Sequence, residues 1–104
     1  MAMSPYERIE RRRLEDRLAR LRPQVQAAME NLAALGVRAR IVGSFASGSF
    51  RTHSDVDFLI EDPRDASIGQ IYEAIASRVR EAPFDVVYRD WLSEGGRAIM
   101  EKTE

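Results

Sequence analysis

A chain of 104 residues that is 44% hydrophobic and 32% charged can fold as one soluble domain but not two, so any second half of an active site is expected from another molecule. It has no cysteine and one histidine, His53, which excludes disulfides, thiolate catalysis and zinc held by cysteine or several imidazoles; any metal must be held by oxygen. The net charge of −1 hides an uneven distribution, because residues 1–22 carry seven arginines against four acids.

Those four acids are interleaved with the arginines at helical spacing. This is the pattern of a solvated helix face laced with ion pairs, so direct nucleic-acid contact is not expected. No apolar run approaches the roughly 20 residues needed to span a bilayer. The first residues turn charged at once instead of entering an apolar signal core, which predicts a cytoplasmic protein with no membrane partner.

In chain order, Ser4-Pro5 followed by Glu7 reads as a helix start, with serine as N-cap and proline at the first helical position. Leu14, Leu18, Leu21, Val25, Ala28, Leu32 and Leu35 then form an apolar seam at steps of 4 and 3, and Gly36 closes it. Pro23 lies inside the seam without the N–H its turn requires, which predicts a kink or a split. The expected organisation is therefore an Arg-rich helical extension over residues 1–22 and a domain over residues 23–104. The stripe of Ile9, Leu14, Leu18 and Leu21 would fold back, meet a partner or support self-association.

Val37 to Val42 alternates as a strand, and Gly43 ends it. A short helix is expected near Ala46 to Phe50. Asp55 to Ile60 predicts a second strand, stopped by Glu61-Asp62-Pro63. Ser67 caps a helix expected through about Arg80, with Ile68, Ile71, Ile75 and Val79 at helical spacing. Phe84 to Tyr88 predicts a third strand, and residues 91–104 a short amphipathic tail helix. The fold class is α/β, a mixed sheet with helices packed on it.

Asp55 and Asp57 stand two apart on the predicted second strand, so they point the same way, about 6.6 Å apart along the backbone. Val56 and Phe58 face the opposite layer. Two carboxylates this close repel unless a cation lies between them, and without cysteine or a second histidine that cation should be hard, Mg²⁺ or Mn²⁺. Asp85, inside the apolar run FDVVY, costs several kcal/mol as an isolated charge unless it is paired, metal-bound or solvated at a cleft. Three strand acids on one face suit two-metal phosphoryl or nucleotidyl transfer, with Asp85 serving the attacking hydroxyl. Gly43-Ser44 leaves a strand and opens a helix, so backbone N–H groups and the Ser44 hydroxyl would face incoming phosphates.

Rival motifs fail on specific residues. Gly43 to Gly48 has the glycine spacing of a P-loop, but Ser49-Phe50 replaces the Lys-Ser/Thr it needs. Phe58-Leu59-Ile60 supplies none of the oxygen ligands an EF-hand requires after Asp57. Structural roles stay open as well: Asp55 could cap a turn and Asp57 could be an edge-strand acid.

Gly43-Ser44, ten residues, then Asp55-Val56-Asp57 resembles the GS-x10-DxD signature of minimal nucleotidyltransferases in the DNA polymerase β superfamily, with Asp85 matching the third carboxylate. The resemblance covers about Gln24 to the chain end. It implies a small polymerase-β-like fold, two Mg²⁺ ions held by Asp55, Asp57 and Asp85, and ATP or another NTP as donor, with Gly43, Ser44 and Arg51 holding the triphosphate. It also implies transfer of AMP or another NMP to a hydroxyl of a partner protein. Members this short resemble antitoxins that neutralise a HEPN-domain ribonuclease toxin, some by adenylylating a tyrosine. Ser47 departs from the pattern, because family members commonly carry arginine there to meet substrate phosphate; Arg51 could substitute. The alternative reading is a weak or inactive module of the same fold that silences its partner by binding. Transfer to a small molecule is a third reading, disfavoured because so short a chain leaves little wall for an acceptor pocket.

Overall fold

The computed structural model describes residues 4–91; the predicted tail helix falls outside these except for Trp91. Helix α1 spans Pro5–Ala34, and the Ser4 side chain caps it by accepting a hydrogen bond from the Glu7 N–H at 3.2 Å. The helix is not split at Pro23. Pro23 and Ala19 are both exposed, so the carbonyl that loses its partner faces water, where the loss costs little. Leu21 and Val25, on either side, are held in the core. The boundary expected between residues 22 and 23 thus falls within one continuous helix whose Leu14 and Leu18 also pack against that core. Leu35, at the end of the seam, is exposed.

Strand β1 (Arg38–Val42) leads directly into helix α2 (Gly43–Ser47). That is earlier than the predicted Ala46 to Phe50, and Gly48 in the left-handed conformation terminates it. Strand β2 is Val56–Asp62. Asp55 lies one residue before it, and Glu61 and Asp62 continue the strand instead of stopping it, with Asp62 paired to Arg38. The Asp62 side chain then turns the chain by accepting from the Arg64 N–H at 2.9 Å.

Helix α3 (Ile68–Ala76) starts in a capping box between Ser67 and Gln70. It stops four residues short of the predicted end. The Arg80 and Glu81 N–H groups donate to Oε1 of Gln24 on α1, at 2.8 and 3.0 Å, which draws the following backbone away from helical bonding. Ile71, Ile75 and Val79 are buried, whereas Ile68 is 59% exposed. Strand β3 (Phe84–Tyr88) matches its prediction, and a 3-10 turn, Arg89–Trp91, follows.

The sheet order is β1-β2-β3, with β1 and β2 antiparallel and β2 and β3 parallel across the α3 crossover. Alternation along the strands then gives the sheet two different faces. Ala39, Ile41, Val56, Phe58, Ile60, Phe84, Val86 and Tyr88 pack toward the helices. Val42, Asp57, Leu59, Asp85 and Val87 belong to the other face, where register pairs Val42 with Asp57, Asp57 with Asp85 and Leu59 with Val87. The architecture is the small α/β fold with a mixed sheet that the sequence predicts. Among the described residues, no helix is long and apolar enough to cross a membrane.

Candidate active site

The junction from β1 to α2 is built around a glycine that only glycine can fill. Gly43 has φ of +75°, and a Cβ at this position would stand 2.3 Å from Oδ2 of Asp57. The absent side chain is what lets the Asp57 carboxylate lie against the backbone that opens α2. Asp85 is the direct register partner of Asp57 on the parallel strand β3, and Asp55 stands two residues before Asp57.

Partial burial, then the neighbouring charges of Asp85 and Asp55, push the Asp57 carboxyl above the usual carboxylate range. Among the described residues, no hydrogen bond or ion pair neutralises any of the three acids. Uncompensated charge is therefore concentrated where the sequence places it. Further along the same face, Glu61 is clamped by Arg40 at 3.2 Å and by Arg89 at 3.5 Å. That carboxylate is neutralised and the three near Gly43 are not.

The first turn of α2 leaves N–H groups without intrahelical partners beside this cluster. The Ser44 carbonyl accepts from the Ser49 N–H at 3.0 Å and from the Ser47 hydroxyl at 3.3 Å. Ser47 also shares a hydrogen bond with the Ser49 hydroxyl at 2.8 Å, so at this exposed position serine closes the loop on itself.

Residues 11–101 match the family profile of the nucleotidyltransferase domain. The chain belongs to the nucleotidyltransferase domain family. Comparison with curated proteins and with solved structures found no match. The family belongs to the polymerase-β-like superfamily, transfers a nucleoside monophosphate from a nucleoside triphosphate, and generally uses divalent metal.

In this nucleotidyltransferase the donor set suits such a metal chemically: three carboxylates with no competing cation, one of them disfavoured as an anion until a positive charge arrives. As they stand, the described residues contain no ready-made group of three ligands converging on one point. The side chains would have to draw together on binding.

Gly43, Ser44, Asp55, Asp57 and Asp85 gather at one end of the sheet. Arg51 is placed differently, because it lines a groove against α1 with Arg11 and His53, on the helix-covered side of the sheet. Local spacing also misses Arg17, which donates to the carbonyls of Thr52 and Glu81 and so fixes the turn leading into Asp55. These partners lie 35 and 64 residues away, and no motif marks such a contact.

Proposed function

We propose that this domain transfers AMP, or another NMP, from its triphosphate to a hydroxyl on a partner protein, with Mg²⁺ as cofactor and a HEPN ribonuclease toxin as the partner it neutralises. The observation that carries the reading is the juxtaposition of Asp57 with Gly43 on one side and Asp85 on the other. It sets a phosphate-facing strand-to-helix turn directly against paired acids.

Asp55, Asp57 and Asp85 would hold the metal, which when bound supplies charge neutralisation for the donor phosphates and the attacking oxygen. Ser44 and the opening N–H groups of α2 orient the triphosphate. Asp85 is the most exposed of the three acids, so it is the one an incoming acceptor hydroxyl reaches first, where it accepts that proton. A hydroxyl presented by another macromolecule fits the exposure of Asp85. Arg51 can join the triphosphate only if its side chain leaves the groove against α1.

Calorimetry of NTP binding with and without Mg²⁺ tests the site. Metal-dependent binding in the native chain that disappears when Asp55 and Asp57 are both changed to Asn is the expected result. Metal-independent binding, or binding that survives the double change, contradicts the assignment. The Ser47 hydroxyl, bonded within its own loop, favours one second reading, a binding module that silences its partner without transfer.

A further inference from the structure

Two adjoining pockets, of about 620 and 240 Å³, share Glu10, Leu14 and Thr52 and form one open trough between the N-terminal half of α1 and the turn at residues 51–54. Arg11, Arg13, Arg17, Arg51 and His53 line it, and of the four acids in residues 1–22 only Glu10 does so. Glu10 is taken by Arg13 at 3.7 Å. Arg17 spends its hydrogen bonds on two carbonyls, which are neutral acceptors and leave its charge uncompensated. Arg51 and His53 meet no acid among the described residues. Arg11 has only a 3.9 Å pairing with Glu15, both side chains being about two-thirds exposed, which holds it weakly.

The turn that carries Arg51 and His53 is rigid for a loop. The Arg51 N–H donates to the Ser54 hydroxyl at 2.9 Å and the Ser54 N–H returns to the Arg51 carbonyl at 3.1 Å, while Arg17 ties Thr52 to α1. Tyr6, 72% exposed, precedes Glu10 and Leu14 by one and two helical turns and so continues the line of the trough. Tyr6 lies beyond the Glu10 end of the trough, and the His53 imidazole lines the same half of it as Arg11.

We propose that this trough binds a single-stranded nucleic acid, with successive phosphates on the arginines and bases stacked on Tyr6 and His53. An acidic peptide would satisfy the arginines but would leave the two ring faces unused. The interleaved acids that argue against such contact in the sequence lie, apart from Glu10, outside the trough. The trough opens on the α1 side of the sheet and meets the proposed transfer site only at Arg51 and at Ser54, the residue before Asp55; its test uses neither triphosphate nor divalent metal, so its failure and that of the proposed transfer are distinguishable.

The test is fluorescence anisotropy of a labelled 12-nucleotide oligo(A) or oligo(U) with the full chain, in parallel with Arg11→Gln plus Arg51→Gln and with Tyr6→Ala. All three residues are exposed, so melting temperatures should match the native chain. With about four phosphate contacts, native affinity should fall about 50-fold between 50 and 200 mM salt, and that of the double variant, with about two contacts left, only about sevenfold. Tyr6→Ala should bind several-fold more weakly with an unchanged salt dependence. Three results would each overturn the proposal: no anisotropy change at 50 mM salt, an unchanged salt dependence in the double variant, or displacement by a 12-residue oligoglutamate at lower concentration than by unlabelled oligonucleotide.

Discussion

Gly43 and Asp57 are locked together: the space a Cβ would occupy on Gly43 is filled by the Asp57 carboxylate, 2.3 Å from the ideal Cβ position. The strand-to-helix turn at Gly43 and the Asp57 carboxylate therefore cannot vary independently. Gly48 supplies an internal control, with φ of +83° and nothing within 4 Å of an added Cβ. Gly48→Ala should cost only backbone strain, about 1–2 kcal/mol. Gly43→Ala should cost that and more, and it should also abolish metal-dependent NTP binding because Asp57 must move. Urea denaturation of the two variants, with calorimetry on each, checks the difference.

Asp57 makes stability depend on pH in an unusual direction for a carboxylate. Its folded pKa is raised by burial and by Asp85 and Asp55, so within the window above the unfolded value of 3.8 the native state holds more proton than the unfolded chain. Its contribution therefore favours folding on the acid side and is lost as pH rises through the folded pKa. Asp57→Asn should be more stable than the native chain at neutral pH without metal, and the advantage should shrink as pH falls into the carboxylate range. Melting curves across that range, with chelator present, decide it.

Gln24 holds the far end of the α3 connection by accepting from two backbone N–H groups. Gln24→Leu should leave the partly buried Glu81 N–H unsatisfied and cost about 1–3 kcal/mol, and amide exchange at Arg80 and Glu81 should accelerate.

That contact also marks where sequence reading stops. The caps at Ser4 and Ser67, the alternation of the strands and the placing of Asp55 beside Asp57 are local or periodic, and each is legible from neighbouring residues, whereas Asp85 meets Asp57 only through the β2–β3 register. The early end of α3 is set by a side chain 56 residues away, and Pro23 is tolerated because Leu21 and Val25 are anchored in a core that exists only after folding. Gly43 is legible as the glycine that ends β1, but its role as space for Asp57 depends on the β1–β2 register. Arg51 could be identified as a cation near the motif; which side of the sheet it serves could not.

Ser47 is exposed, and its hydroxyl bonds only within its own loop. Replacing it with arginine should leave the fold intact and, if the domain is a transferase, raise turnover, since one well-placed donor to developing phosphate charge contributes about 3 kcal/mol. Single-turnover kinetics of Ser47→Arg against the native chain measures this; an unchanged rate would mean another group already fills the role.

Transfer itself is best tested by mass. Purified chain, candidate partner toxin, Mg²⁺ and each of the four nucleoside triphosphates in turn are incubated, and both proteins are weighed intact. The partner should gain one or more nucleoside monophosphate residues with one preferred nucleotide, pyrophosphate should appear in equal amount, and Asp85→Asn should abolish both. Complex formation and silencing of the toxin with no added mass from any nucleotide would contradict catalysis and leave the binding module in its place.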